Sequence, residues 1–410
     1  MTSSPPRSSA DELIDWLLER GLEGAEQPEI LEGYCVRLVE AGVPLMRFHA
    51  AQSAYHPTYG GTGFNWYRDE GGSVENYEHR EEPPEQWVSS PLYEMLRTGA
   101  MELRERLRDQ NEPSRFPFLN ELHQKGATDY FASGLVLQKV DPGQRIALDQ
   151  MPEGVLMSWT TDHPEGFAEQ QLGLIRYTMP QLGLALKSAS NRKLAEDLLK
   201  VYLGRDAGQR VLSGEIRRGS LQMIDAVIWN FDLEGFTGLS ERLPGSDIIA
   251  MLNDYLAVAV EVVQGCGGNI LKFMGDGLMA MFDVGESDED ARAALAAVAK
   301  LQDRMTELNA QRAAAGLPVS NYTLALHSGE ILYGNIGAEN RLDFTVIGPA
   351  VNQAARIAGM HRALDQRILI SDDVARAAGD SGRDLVSLGR YMLRGVAEPK
   401  ELFTLYQPTA

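Results

Sequence analysis

The chain has 410 residues, which predicts two domains because an average domain has about 150 residues. Apolar residues make up 44% of it and charged residues 23%, as in ordinary globular proteins, so bulk disorder and a fibrous repeat are excluded. The 58 acidic residues outnumber the 38 Lys and Arg residues, which gives a net charge of −20. This charge disfavours nucleic acid and anionic membranes as partners. A small nucleotide remains compatible with it, because metal ions can bridge carboxylates to phosphates.

The cysteine content and the absence of long apolar runs bear on the cellular location. Cys35 and Cys266 are the only cysteines, which excludes a disulfide scaffold and a zinc finger. No apolar run approaches the ~20 residues of a membrane helix, and residues 1–10 lack the apolar stretch of a signal peptide. We therefore expect a soluble, cytoplasmic protein.

The first half of the chain mixes helical and strand-like patterns. Residues 1–10 are rich in Ser and Pro and are expected to be disordered, and Asp11 is expected to cap the first helix. Apolar spacing predicts further helices over 29–42, 92–108 and 119–125, and strands over 45–55, 63–67, 133–139, 144–148 and 154–160.

A long helical pattern covers residues 166–203, where Pro180 predicts a kink or break. Its last part carries an apolar seam. This seam is compatible either with pairing to a second chain in a parallel dimer or with packing on its own domain. The seam consists of Leu194, Leu198, Leu199 and Tyr202.

After Gly219 short apolar strands alternate with amphipathic helices. This pattern predicts an α+β sandwich with helices on one face of the sheet. The predicted strands cover 226–231, 269–274, 278–282, 322–327, 344–347, 368–370, 389–394 and 402–406, and the helices 245–264, 288–315 and 350–360.

Three segments of this half carry residues suited to chemistry. Asp232 ends a strand, Asp276 lies at a hairpin tip, and Asn352 and Arg356 share one helix face because they are four residues apart. Taken alone, each has an ordinary structural explanation: a helix cap, a hairpin turn and a solvated helix face. His327 is assigned to packing or a hydrogen bond at the sheet edge.

Together these segments resemble the catalytic domain of the class III adenylate/guanylate cyclases from about Gly214 to Tyr406. The resemblance implies a ferredoxin-like α+β catalytic domain that makes a cyclic nucleotide. Five motifs occur in the family's order: FDLEGFTGLSE, GGNILKFMGDGLMAMF, LALHSGEILYGNIG, DFTVIGPAVNQAAR and LGRYMLRGVAEP.

The resemblance implies a role for each matching residue, with two Mg²⁺ or Mn²⁺ ions per site. Asp232, Asp276 and the backbone carbonyl of Leu233 match the metal ligands. Asn352 matches the residue that orients the ribose, and Arg356 the one that stabilises the pentavalent phosphorus. Lys272 and Thr345 match the pair that contacts the purine. The turn that consists of Gly235, Phe236 and Thr237 matches a phosphate contact. Arg394 lies where the family usually has a Lys that reaches the terminal phosphates.

The purine-reading pair favours ATP as substrate. The Lys272 ammonium can only donate hydrogen bonds and suits adenine N1, while Thr345 can accept from the adenine amino group. The family's guanylate cyclases use Glu and Cys or a similar pair, so guanylate cyclase is the weaker enzymatic alternative. A catalytically silent nucleotide-binding module is the alternative from another class. The Thr form also resembles the branch stimulated by bicarbonate.

The resemblance also implies a head-to-tail homodimer, because the metal aspartates and the Lys, Thr, Asn and Arg residues of one site come from different subunits in the family. Residues 154–186 resemble the end of a GAF-type sensor domain. The expected organisation is a disordered tail (1–10), an α/β GAF-like regulatory domain (11–185) open to a small-molecule regulator, a helical linker (186–218) and the cyclase domain (219–410).

Overall fold

The structure is a computed structural model that describes residues 8–53, 59–80, 82–108, 112–137, 153–382 and 384–405. It divides into two compact units, Met1–Asp197 and Leu198–Ala410. The predicted linker over residues 186–218 and the GAF-like assignment stay predictions.

The N-terminal unit is built on an antiparallel six-stranded sheet with the order β3-β2-β1-β6-β5-β4. Its strands are β1 (Arg47–Ser53), β2 (Tyr59–Tyr67), β3 (Gly71–Glu78), β4 (Glu102–Arg106), β5 (Asp129–Val136) and β6 (Gly154–Thr161). Its helices are α1 (Ser9–Glu23), α2 (Gln27–Glu40), α3 (Glu85–Val88), α4 (Pro91–Thr98), α5 (Pro117–Gln124) and α6 (Glu169–Leu203), whose last residues belong to the second unit.

Three predictions for this unit need correction. The first helix begins at Ser9, because the Ser8 hydroxyl accepts a hydrogen bond from the Asp11 N–H at 3.2 Å and caps it in place of Asp11. The helix predicted over 92–108 ends at Thr98, where Gly99 adopts φ +71°, and the chain continues into β4, since pairing with β5 outweighs local helix propensity. The long helix α6 continues through Pro180 without a break.

The remaining differences in this unit are one strand that was not predicted and two predicted segments that the structure does not describe. The strand β3 was not predicted, and it forms the edge of the sheet beside β2. The strand predicted over 144–148 and residues 1–7 of the predicted tail lie outside the described residues.

The second unit is a mixed sheet with the order β13-β14-β12-β10-β7-β9-β8, and β11 pairs with β10 beside this path. Its strands are β7 (Leu221–Leu233), β8 (Asn269–Met274), β9 (Gly277–Phe282), β10 (Tyr322–Ala338), β11 (Arg341–Ile347), β12 (Ile368–Ser371), β13 (Leu385–Tyr391) and β14 (Lys400–Leu405). Its helices are α7 (Arg205–Leu212), α8 (Phe236–Ser240), α9 (Gly245–Gly265), α10 (Ser287–Ala314), α11 (Pro349–Ala358), α12 (His361–Leu364) and α13 (Asp372–Ala378).

Helices cover both faces of this sheet, where the sequence predicted one. The main core lies between α9, α10 and α13 and the side chains of Trp229 and Phe231 on β7. On the other face, Ala350 and Ala354 of α11 pack with Ile228. The short side chains of α11 let it approach this second face closely, which hydrophobic spacing alone did not indicate.

The helix α9 corrects the expectation about membrane-length segments. Among the described residues it is long and apolar enough to cross a membrane, with a mean hydropathy of 1.4. In the structure its residues Met251, Tyr255, Ala259 and Val263 are instead buried against the sheet. Its apolar character is therefore explained by core packing.

Candidate active site

Two carboxylates meet where β7 ends beside the β8–β9 hairpin. Asp232 lies opposite Gly277 in the β7–β9 register, and Asp276 lies in the two-residue turn that joins β8 to β9. Gly275 opens this turn with φ +65°, which only glycine adopts without strain. Burial and the neighbouring Asp276 carboxylate raise the pKa of Asp232 from 3.8 to about 6.

Gly277 leaves the space that this close approach needs. A Cβ atom at this position would lie 2.3 Å from the Phe231 carbonyl oxygen and 2.6 Å from Asp232 Oδ1. The sequence placed only Asp276 at the hairpin tip and gave no role to Gly277, although its position directly after Asp276 was the available signal.

We expect Gly277→Ala to destabilise the protein by about 1–3 kcal/mol, because backbone atoms must move to admit the methyl group. The same shift should displace Asp232 and lower the catalytic rate more than tenfold. Urea unfolding and a rate assay measure the two effects. Gly245→Ala is the control, since nothing lies within 4 Å of that Cβ position. Equal stability of Gly277→Ala and Gly245→Ala would show that the methyl group at position 277 is not crowded by Phe231 and Asp232.

The raised pKa of Asp232 predicts a pH dependence of folding stability. Its value of about 6 exceeds the ordinary 3.8, so the folded state binds more protons than the unfolded state between these pH values. The contribution of Asp232 to the free energy of unfolding therefore falls as the pH rises from about 4 to about 6. Asp232→Asn cannot ionise and is expected to gain stability relative to wild type over this interval and to level off above it.

Urea unfolding at pH 4 to 7 in the presence of EDTA measures this difference. Asp225→Asn, an exposed change on the same strand, controls for the loss of one carboxylate. A stability difference between Asp232→Asn and wild type that stays constant with pH would show that the Asp232 carboxyl does not titrate in this range.

The aspartate pair has the donor chemistry of a magnesium or manganese site. Hard divalent cations take carboxylate and carbonyl oxygens, and a cation would relieve the repulsion that raises the pKa of Asp232. No group of three or more His, Cys, Asp or Glu side chains suited to a metal occurs in the described part of the chain. The Leu233 carbonyl, which directly follows Asp232, phosphate and water are oxygens that could complete the coordination.

The two predicted purine-reading residues lie next to each other. Lys272 is on β8 and Thr345 is on β11, two strands that do not pair in the sheet. The β10–β11 hairpin places Thr345 opposite Gly334, and the Lys272 Nζ donates a hydrogen bond of 3.4 Å to the Thr345 Oγ1. Thr345 is buried and Lys272 is exposed, so the contact joins the interior of the sheet to the surface.

The helix α11 presents Asn352 and Arg356 one turn apart. It begins at Pro349 after Gly348, and the Asn352 N–H donates to the Gly348 carbonyl at 3.3 Å. A Cβ atom at Gly395, where φ is +72°, would lie 3.4 Å from the Arg356 Nη2. The loop after β13 therefore passes close to the guanidinium of Arg356, a contact that sequence analysis did not predict.

Arg394 lies in that loop and is exposed. The strand predicted over 389–394 ends at Tyr391, so Arg394 is carried by the turn and not by the sheet.

The predicted phosphate-contacting residues occupy the turn after β7, where Gly235 has φ +70° and α8 begins at Phe236. His327 donates or accepts a hydrogen bond of 2.9 Å with the Ser371 Oγ, as predicted, but it lies on β10 inside the sheet and not at its edge.

Strand alternation places these groups relative to the sheet. Trp229, Phe231 and Leu233 face the α9–α10 core, so Asp232 faces the opposite side, where α11 packs. Within the described residues no hydrogen bond or ion pair joins either aspartate to Asn352 or Arg356. The chain thus holds an aspartate pair, a Lys–Thr pair and an Asn–Arg pair as three separate groups.

The family of this unit follows from its sequence. The family model described as the adenylate and guanylate cyclase catalytic domain matches residues 221–407. Residues 221–407 belong to the class III adenylate/guanylate cyclase family. All the predicted site residues, from Asp232 to Arg394, lie inside the matched cyclase domain.

Relatives of the cyclase domain carry both activities in their names. An adenylate cyclase of Anabaena cylindrica is 37% identical over 145 residues, which are 35% of this chain and 29% of that protein. The adenylyl cyclase CyaB from P. aeruginosa is 27% identical with a TM-score of 0.42, over 46% of this chain and 97% of that one. The guanylyl cyclase Cya2 is 30% identical with a TM-score of 0.40, over 45% and 92%.

The chain spans less than two fifths of the length of the curated relatives it matches, for example 29% and 37%. The other parts of those proteins lie outside the aligned residues.

Proposed function

We propose that the protein is an adenylate cyclase that converts ATP to 3′,5′-cyclic AMP and pyrophosphate. The observation that carries this proposal is the 3.4 Å contact between the Lys272 Nζ and the Thr345 Oγ1. It joins two residues that are 73 positions apart in the sequence and lie on strands that do not pair.

The chemistry of this pair distinguishes adenine from guanine. Adenine offers an acceptor at N1 and a donor at N6, which match an ammonium donor and a hydroxyl acceptor. Guanine offers a donor at N1 and an acceptor at O6. The Lys272 ammonium would face the guanine N1–H as one donor facing another, and a buried unpaired donor costs free energy. Lys272 and Thr345 therefore favour ATP.

The remaining groups support attack of the ribose 3′-hydroxyl on the α-phosphorus. Asp232 and Asp276 would hold two Mg²⁺ or Mn²⁺ ions, which supply charge neutralisation and a lowered pKa of that hydroxyl. Asn352 orients the ribose, and the Arg356 guanidinium donates to the α-phosphate oxygens as negative charge develops on them. Both side chains come from one face of α11, so the ribose and the phosphate are positioned by the same rigid element.

We further propose that two chains assemble head to tail and share two equivalent sites. No hydrogen bond or ion pair joins the aspartate pair to the Asn–Arg pair of one chain in the described residues. Apolar side chains beside the aspartates also stay uncovered, since Phe273 and Met274 on β8 are 56% and 41% exposed. A second copy that covers them would bring its α11 to the aspartates of the first.

The N-terminal unit is proposed to regulate this activity as a GAF-like sensor domain in a cytoplasmic enzyme. Support comes from its separate core and from α6, whose exposed Leu198, Val201 and Tyr202 continue the predicted apolar seam. A seam left exposed in one chain is suited to pairing with the same seam of a second chain.

Purine selectivity of variants tests the proposed substrate. In a competition assay with equal ATP and GTP, we expect Lys272→Ala to lower kcat/KM for ATP by at least about tenfold, the effect of losing a hydrogen bond from a charged group to the purine. The value for GTP should change less. Lys300→Ala, an exposed change on α10, is the control. An unchanged ATP to GTP ratio in Lys272→Ala would remove the basis for assigning ATP.

A further inference from the structure

A cleft of about 420 Å³ opens on the helix-covered face of the sheet in the N-terminal unit. It lies between the start of α2, the second half of α6 and the strands β1, β2 and β3. Every residue that lines it belongs to this unit, which ends at Asp197. Its volume is in the range that small ligands occupy in proteins.

One part of the cleft floor is apolar. Ala50, Phe64 and Val74 stand opposite one another on β1, β2 and β3, so their side chains form one row on this face. Leu31 of α2 and Leu186 of α6 line the cleft from the helix side. All of these side chains are buried except Val74, which is 54% exposed. The Phe64 ring gives this part of the floor a flat apolar surface, which favours a flat partner.

The next row of side chains along the same strands is polar and uncharged. Gln52, Thr62 and Asn76 stand opposite one another, two residues away from the apolar row. The Gln27 Nε2 at the start of α2 donates to the Gln52 Oε1 at 2.9 Å and to the Ser190 Oγ of α6 at 2.6 Å. Both bonds use the amide nitrogen, so within the described residues no donor reaches the Gln27 Oε1, and the Thr62 hydroxyl makes no hydrogen bond there either.

The charged residues that line the cleft balance one another. They are two cations and two anions, namely Arg192, Lys193, Glu26 and Glu196. The Arg192 Nε lies 3.5 Å from the Glu196 Oε1. The Lys193 Nζ lies 2.9 Å from the Asp197 Oδ1. Since neither sign of charge is in excess, the cleft is complementary to a neutral ligand.

We propose that this cleft binds a small neutral molecule that carries a carboxamide on a planar apolar ring. A carboxamide offers a donor and an acceptor side by side, which match the Gln27 Oε1 and the Thr62 hydroxyl. The ring lies on the apolar row beside Phe64. A carboxylate in the same place has no donor for the Gln27 Oε1 and loses its hydration, so it binds more weakly. The proposal concerns binding alone and holds whether or not the second unit is a cyclase.

Indole-3-acetamide and indole-3-acetate are the probes, because they share the planar ring and differ in the amide and the charge. A ligand-observed NMR titration of the purified protein measures the Kd of each probe. We expect indole-3-acetamide to bind with a Kd of about 1 mM or tighter and indole-3-acetate to bind at least about tenfold more weakly. Equal Kd values of the two probes, or no binding of either, overturn the proposal.

Variants at position 62 assign the binding to the cleft. Thr62→Val keeps the side-chain volume and removes the donor, so the Kd of indole-3-acetamide should rise about three- to tenfold. Thr62→Trp fills the cleft and should abolish binding. Ser73→Val is the matched control, because Ser73 is exposed and, as the neighbour of Val74 on β3, faces away from the cleft. An unchanged Kd in Thr62→Val, or binding retained in Thr62→Trp, places the probe at another site and overturns the proposal.

Stability without the probe separates a binding role of Thr62 from a structural one. Thr62→Val breaks no hydrogen bond within the described residues, so its Tm should lie within about 2 °C of wild type. Should Thr62→Trp fail to fold, the two probes and Thr62→Val still decide. A Tm of Thr62→Val lower by about 5 °C or more would show that the hydroxyl supports the fold, and this too overturns the proposal.

Discussion

Arg356→Ala is expected to lower kcat by about 100- to 1,000-fold, which corresponds to roughly 2.7–4 kcal/mol for one donor to a developing negative charge. The guanidinium lies on α11 beside Gly395, and no ion pair holds it in the described residues. It is therefore available to the phosphate. Because the interaction strengthens as charge develops, KM for ATP should change far less than kcat.

Steady-state kinetics of purified variants measure this effect. Arg356→Lys keeps the charge but loses the planar fork, and we expect an intermediate loss. Arg362→Ala, an exposed arginine on α12, is the matched control and should retain wild-type kcat. A kcat for Arg356→Ala within fivefold of wild type would contradict the role of Arg356 at the phosphate.

Mixing two inactive variants is expected to restore activity. Asp276→Ala lacks a residue of the aspartate pair, and Arg356→Ala lacks one of the Asn–Arg pair. In a head-to-tail dimer, each mixed dimer has one intact site and one site with both lesions. At a 1:1 ratio half of the dimers are mixed, so about a quarter of wild-type activity should return.

A second mixture controls for any recovery of activity that does not depend on a site shared between chains. Asp232→Ala combined with Asp276→Ala places both lesions in the same half of the site, so no mixed dimer has an intact site and no activity should return. Recovery in the first mixture alone supports a site shared between chains. Failure of the first mixture, with subunit exchange verified by a labelled chain, would show that each site forms within one chain.

The proximity of candidate residues could be expected from the sequence, whereas several elements around them could not. Asp232, Asp276, Lys272 and Thr345 were selected from motif order, and the structure brings them together in two pairs. Motif residues keep fixed spacing to their strands, so their places could be expected. Their roles in substrate and metal binding stay predictions, as does Arg394, which lies in a loop.

The misjudged elements share a physical cause. The strand β4 has the sequence ELRER, which favours a helix locally, and only its pairing with β5 makes it a strand. The helix α9 is as apolar as a membrane helix because its residues fill a core between layers.

Product analysis of the purified protein tests the central claim most directly. The protein is incubated with equal ATP and GTP and with Mn²⁺, and cyclic nucleotides and pyrophosphate are quantified. We predict cyclic AMP as the main product, with pyrophosphate in equal amount and no product in EDTA. Predominant cyclic GMP would contradict the assignment of ATP to Lys272 and Thr345, and the absence of any cyclic nucleotide would contradict the cyclase activity of this chain.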